Sequence, residues 1–462
     1  MPVQVNRAQE ATGGGAEASP RRHPLWRQTV LALALRGIGV ILAFASQVVV
    51  ARALGVVGFG SYVTILAWTT LLSLLAGAGL PQAGIRFLAA YAEARDWASY
   101  RGFVRMAARA VAASGIAVGL AAVTLFATVA SLRPLLAAMA TGMLLIVLFS
   151  ASTLAQAALV AAQRAVRGEL TNNVVRALLV MALVAGAAQL SPALGVIPAL
   201  DVEFVLGLTV LAGLLTLLVQ SGAWWQATGL HWRGTSDIGA RPAWLASGRA
   251  YLIATAAYAL VERLDTILLA VLAPPAEVGP YSVAARLALL VSVALGPISA
   301  IATASAAQLL ARGDRAGLQR LMAQTALIGS GAGAALALAL LVATPWLLAV
   351  FGAGFETERA MVAVLLLGQV ALAVAGPAGG LLAVAGRNRA LIGIMLATVV
   401  LDLVLCLLLV PPFASAGAAV ATMLALIFNA VALAVAARLL LGIDTTLLAG
   451  VTLVVRHVLA RR

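Results

Sequence analysis

The sequence predicts an all-α polytopic membrane protein of about twelve transmembrane helices in two six-helix lobes, with both termini cytoplasmic. Three observations predict it: the composition, the spacing of apolar runs and an internal repeat. Of the 462 residues, 63% are hydrophobic and only 10% are charged, with a mean hydropathy of +1.06. A soluble domain is usually about half apolar and about a quarter charged. So few charges cannot cover a water-facing surface, which excludes a soluble enzyme. The same apolar fraction excludes disorder.

A membrane-crossing helix needs about 20 mostly apolar residues. Runs that meet this need lie at 29–50, 57–80, 107–130, 134–160, 172–190, 199–221, 250–273, 278–300, 323–350, 359–384, 390–410 and 414–440. They divide the chain into a disordered cytoplasmic tail (1–28), a first lobe (29–221), a cytoplasmic linker (222–249), a second lobe (250–440) and a cytoplasmic tail (441–462). Within the last, 446–459 is apolar but short and carries Arg456 and His457, so an interfacial helix is expected there. Ala43-Phe44-Ala45 resembles a leader cleavage site. The surrounding apolar run is too long for a leader and Arg36 interrupts it, so no cleavage is expected.

Charge placement gives the orientation. All 30 basic residues are Arg, there is no Lys, and the net charge is +14. With the N-terminus inside, 23 Arg fall in cytoplasmic segments and only Arg52, Arg133 and Arg359 fall outside. Asp201, Glu277, Glu356 and Glu358 lie in the outer loops. The positive charge thus reads as topology, with no nucleic-acid partner.

A shift of about 219 residues aligns the two halves. Gly60-Ser61-Tyr62 falls on Gly279-Pro280-Tyr281, Pro81 matches Pro297, and Ala94-Arg95-Asp96 matches Arg312-Gly313-Asp314. Both halves start on the same side, so the repeat is parallel, about an axis along the membrane normal. Two such bundles facing a central cavity form a transporter architecture.

Several chemistries are absent. Without Lys there is no Walker-type phosphate loop and no Schiff base. Gly13-Gly14-Gly15 reads as flexible tail. Cys406 is the single cysteine, so no intrachain disulfide forms. His23, His231 and His457 are too dispersed to suggest a metal site, and no cofactor is expected.

Residues 29–440 resemble the bacterial polysaccharide flippases (Wzx-type, O-antigen and exopolysaccharide export) of the multidrug/oligosaccharidyl-lipid/polysaccharide (MOP) exporter superfamily. The segments that carry the resemblance are Ala51-Arg52-Ala53-Leu54-Gly55, Gly58-Phe59-Gly60-Ser61-Tyr62 and Gly79-Leu80-Pro81 in the first half. In the second half they are Asp265-Thr266-Ile267-Leu268-Leu269, Glu277-Val278-Gly279-Pro280-Tyr281 and Ala383-Val384-Ala385-Gly386-Arg387. The resemblance implies a MATE-like fold and a non-enzymatic inner-membrane flippase. Its substrate would be an undecaprenyl-pyrophosphate-linked oligosaccharide, moved by alternating access. Its implied partners are that lipid-linked oligosaccharide, membrane lipids, and the polysaccharide polymerase and glycosyltransferases of the same pathway. A peptidoglycan lipid-precursor flippase, a MATE-type cation or drug antiporter, and a membrane glycosyltransferase or polymerase are the competing readings. Short loops count against the last.

Seven charged residues fall inside apolar spans: Arg36, Arg176, Glu262, Arg263, Asp265, Arg286 and Asp402. Each costs about 2.5–3.5 kcal/mol at the centre of a bilayer on insertion scales, so each needs a partner, a wet cavity or a task. Arg36, Arg176, Arg263 and Arg286 are candidate ligands of a pyrophosphate, whose oxygens match the guanidinium fork. Snorkelling to the headgroups is the competing reading for Arg36 and Arg176. Glu262, Asp265 and Asp402 are candidate ion-coupling groups. Arg286 is a candidate partner of Asp265 or Glu262, and Asp402 has no evident local partner. Gln47, Gln156, Gln369 and Asn429 read as interhelical hydrogen-bonding groups.

Overall fold

The computed structural model describes residues 25–194, 200–229, 234–352, 354–355 and 359–452. They form helices joined by short turns. In chain order these are α1 Leu25–Ala76, α2 Leu80–Glu93, α3 Trp97–Thr128, α4 Leu136–Ala161 and α5 Ala165–Glu169. A π-helical turn, Leu170–Val175, leads into α6 Arg176–Leu194. There follow α7 Val202–Thr228, α8 Arg241–Leu272, α9 Pro275–Ala311, α10 Arg315–Ala349, α11 Arg359–Ala375, α12 Ala378–Val384 and α13 Asn388–Leu441.

Among the described residues, eight helices are long and apolar enough to cross a membrane, or nine when the bent pair α11–α12 counts as one crossing. The other expected crossings would fall in three helices. α1 and α13 have 52 and 54 residues, each about 80 Å at 1.5 Å per residue, against a hydrocarbon core of about 30 Å. Each is broken once, at Gly55 (φ 67°) and at Ala414 (φ 48°). α8 is long enough, but Arg249, Glu262, Arg263 and Asp265 lower its hydropathy.

Helix ends depart from the apolar runs because caps and turns, rather than hydropathy, fix them. Asp96 and Asp314, the matched positions of the repeat, both cap a helix. Their carboxylates accept from the Ser99 and Gly317 N–H groups at 3.1 and 2.8 Å. The residue before each, Arg95 or Gly313, is left-handed at φ 54° and 71°. α3 and α10 therefore begin at 97 and 315, ahead of the apolar runs at 107 and 323. The linker is also shorter than expected. α7 continues to Thr228 and α8 starts at Arg241, because Pro242 suits the first helical turn and Trp244 is fully buried.

The segment from Thr235 into the first turns of α8 docks on the first half. Arg101 donates from Nε and Nη2 to the Thr235 carbonyl at 3.0 and 2.7 Å, and Asp237 N–H donates to Ala98 O at 3.0 Å. Trp244 and Trp224 donate to the Tyr91 and Tyr100 hydroxyls, both at 2.9 Å. Phe103 closes this aromatic cluster against Trp244. One turn later Gly248 meets Gly79, where a Cβ would lie 2.0 Å from the Gly248 carbonyl. The first turns of α8 thus pack on α2, whereas its later turns pack on α13 and, through Ala259 and Ile267, on Ala67 and Leu71 of α1. Beyond α13, Gln319 pairs with the Asp444 backbone and Thr445 donates to Ala375 O, fixing 443–446 against the second half. Of the expected interfacial segment, 453–459 lies outside the described residues.

The two halves also meet at the end away from the Arg-rich loops. α1 crosses α9 there at two repeat-related glycines. A Cβ on Gly60 would lie 1.8 Å from Pro275 O, and one on Gly279 would lie 2.9 Å from Val56 O. Phe44, Phe59, Phe351 and Phe355 form a ring cluster with centroids 5.2–6.3 Å apart. Arg52 Nε donates to Val350 O at 2.7 Å. Close packing of small residues and aromatic rings seals this end.

Candidate functional site

α8 separates two polar regions of opposite charge. Successive helical residues turn by about 100°, so Arg263 and Asp265 point to nearly opposite sides of α8. Arg263 is half-buried and faces Arg286 on α9 closely enough for their charges to interact. Arg286 is also in electrostatic range of Arg176, at the start of α6, and of Tyr62 on α1. Arg176 sits over the Phe149 ring at 5.1 Å, a cation–π contact. Among the described residues no carboxylate pairs with Arg176, Arg263 or Arg286. Arg286 therefore has two other guanidinium groups in range and, among the described residues, no paired carboxylate, an arrangement that favours an anion.

Asp265 lies on the other side. It is buried and accepts from the Thr266 N–H at 2.6 Å, the Tyr281 hydroxyl at 2.5 Å and the Thr422 hydroxyl at 3.4 Å. Asp402 on α13 is buried too, in electrostatic range of Asp265 and 3.8 Å from Cys406 Sγ. Two carboxylates with hydroxyl neighbours and no basic partner make a site suited to a proton or a small cation. No cluster of three or more metal-ligating residues occurs among the described residues.

Of the seven sequence candidates, the structure brings Arg176, Arg263 and Arg286 together, and Asp265 with Asp402. Of the two pairings open to Arg286, that with Asp265 is not formed, and that with Glu262 falls on a side chain outside the described residues. Tyr281 bonds Asp265, and Arg286 is five positions further along α9, about 140° around the helix, so both cannot face one carboxylate. Asp402, expected to lack a local partner, has Cys406 one turn away. The side chains of Arg36 and Glu262 lie outside the described residues. Gln156 and Gln369 do bond between elements, to Glu169 and Asn172 and to Ser292. Gln47 Oε1 and Asn429 Oδ1 are buried without a partner.

Sequence reasoning missed Glu169. It is half-buried at the head of the π-helical turn and accepts from Asn173 at 2.5 Å and Gln156 at 3.4 Å. Its signal was available: Glu169-x-x-x-Asn173 is an i, i+4 pair at the edge of an apolar run. π-Turns often mark functional sites, and this one ends at Arg176. A separate cavity of about 200 Å³ lies between α9, α10 and the α11–α12 bend, lined in part by Ser292, Thr325 and Gln369. None of the charged candidates lines it.

The family model for polysaccharide biosynthesis proteins matches residues 25–304, more than half the chain. The chain belongs to this family. Its fold is that of the MOP superfamily. An inward-facing multidrug-resistance MATE transporter superposes with a TM-score of 0.69 at 14% identity, over 87% of this chain and 95% of that one. The lipid II flippase MurJ, in an inward closed conformation, gives 0.66 at 11%, over 88% and 87%. A MOP transporter from Pyrococcus furiosus, described as having a binding pocket of reverse polarity, gives 0.53 at 14%, over 88% and 95%. No curated protein matches significantly. This polysaccharide biosynthesis protein is thus a multi-pass membrane protein that shares the fold of these structures.

Proposed function

We propose that the protein is a flippase of the bacterial inner membrane that carries an undecaprenyl-pyrophosphate-linked oligosaccharide from the cytoplasmic to the outer face. The observation that supports this most is that Arg286 lies in electrostatic range of Arg176 and Arg263, with no carboxylate paired to any of the three among the described residues. A pyrophosphate supplies the missing counter-charge, and its oxygens accept paired N–H bonds from a guanidinium. The family match ties the chain to glycan synthesis. The glycan would occupy the wet space between the halves while the polyprenyl chain stays in lipid. Asp265 and Asp402 are the ion-coupling groups of this reading, with Arg36 and Glu262 retained as further candidates. The protein is not an enzyme on this reading. It receives its substrate from glycosyltransferases and passes it to a polymerase. A cation or drug antiporter fits less well, since three unpaired cations repel such a substrate.

The test is transport in vesicles. Purified protein is reconstituted with a fluorescent undecaprenyl-pyrophosphate oligosaccharide, and a membrane-impermeant quencher reports its exposure. Wild-type protein should speed transfer, and Arg263→Ala should fall to the protein-free rate while remaining folded. No transfer by wild-type protein overturns the proposal.

A further inference from the structure

Tyr62 and Tyr281 are matched positions of the repeat, and each hydroxyl lies 3.1 Å from a threonine hydroxyl brought by the last crossing of its own half. The partners are Thr209 on α7 and Thr422 on α13. The two pairs look alike, but their protons run in opposite directions. Thr209 has one hydroxyl proton and gives it to the Val205 carbonyl at 2.9 Å. Tyr62 must therefore donate to Thr209, and the remaining lone pair of its oxygen is free. In the other half the Tyr281 proton goes to Asp265 at 2.5 Å, so Thr422 donates to Tyr281 or to Asp265.

The neighbours match these directions. Tyr62 is fully buried, in electrostatic range of Arg286 and Arg176. Tyr281 is fully buried, beside Asp265 and Asp402. One repeated module thus leaves an acceptor in electrostatic range of cations in the first half and aims a donor at a carboxylate in the second.

We infer that Tyr62 is a positioning residue for substrate anions: its hydroxyl, fixed by Thr209, orients the Arg176 and Arg286 guanidinium groups toward a pyrophosphate. This rests on the reading above for the identity of the anion. Tyr281 is its counterpart on the cation side and does not contribute to anion affinity.

The experiment compares wild type, Tyr62→Phe and Tyr281→Phe. Binding of inorganic pyrophosphate to the detergent-solubilised full chain is measured by calorimetry. Flipping of the lipid-linked oligosaccharide is measured against its concentration, with and without proton and sodium gradients. Tyr62→Phe should weaken pyrophosphate binding and raise KM, each about tenfold, with kcat nearly unchanged, because the acceptor lone pair held beside two buried guanidinium groups is lost. Tyr281→Phe should leave pyrophosphate affinity unchanged and alter the gradient dependence. Should Tyr62→Phe not fold, Thr209→Val replaces it, with an expected loss of about threefold, since the phenol keeps its oxygen and loses only its orientation.

Wild-type affinity in Tyr62→Phe, equal weakening in both phenylalanine variants, or no pyrophosphate binding by wild type overturns the inference. Tyr62-dependent pyrophosphate binding with no lipid transfer overturns the flippase reading and leaves the inference standing. Transfer that is unaffected by Tyr62→Phe does the reverse.

Discussion

A single methyl group at Gly60 should hold the sealed end open. The Cβ of Gly60→Ala would lie 1.8 Å from the Pro275 carbonyl oxygen and 2.8 Å from its carbon. Ordinary contact starts near 3.4 Å, so α1 and α9 must separate by about 1.6 Å at their crossing. The atoms that block it are backbone, so no side chain can swing aside. Overpacking of this kind costs about 1–3 kcal/mol. The cost falls on the closed arrangement alone, because helices already apart do not feel the methyl. A bias of that size moves the closed-to-open ratio by about five- to 150-fold. The readout is a cross-link made by a short bifunctional thiol reagent between Arg52→Cys and Val350→Cys, positions joined across the sealed end by the Arg52 Nε bond to Val350 O. Cys406, the only native thiol, is buried and leaves the background low. Cross-linking should slow at least fivefold in Gly60→Ala. An unchanged rate in a protein that melts like the parent would refute the reasoning.

Two further outcomes follow from the polar regions and the caps. Asp265→Asn keeps the shape but removes the charge that Tyr281 and Thr422 hold, so transport should lose its dependence on an ion gradient while pyrophosphate affinity stays the same; retained gradient dependence removes Asp265 from the coupling role. Asp96→Ala should cost about 1 kcal/mol through loss of the α3 cap, seen as a lower melting temperature. The Ser99 hydrogen bonds hold the Asp96 carboxyl below its usual 3.8. Its stabilisation is therefore present above that pH and is lost as pH falls through the lowered value, so parent and variant should converge only in acid.

The buried charges and the repeat were legible in the sequence because each violates a local expectation. An Arg within an apolar run stands out without any knowledge of its neighbours, and Arg176, Arg263 and Arg286 were found that way. Their grouping required the fold. The pairing of Arg286 with Asp265 failed because linear order says nothing of the face that α9 turns to α8. Tyr62 and Tyr281 were visible only as marks of the repeat. Their partners lie 147 and 141 residues away, and the direction of each proton depends on what a threonine does with its own. Helix ends were misplaced for a simpler reason: hydropathy reports where lipid is, whereas Asp96, Asp314 and Pro242 decide where helices start.

The docking of α8 bears on how such proteins can be recombined. The amino-acid repeat begins anew at about 250, yet the stretch from Thr235 to Leu252 is held by Arg101, Tyr91 and Gly79 of the preceding half. A chimera of two relatives spliced just after Leu252, close to the repeat boundary, would keep those contacts within one parent. A splice at Thr228, where the helices alone suggest a border, would set a foreign residue opposite Gly79 at a spot with no room for a methyl. The unit that the helix ends mark off and the unit that packs together are thus different lengths of chain, offset by the first turns of one helix.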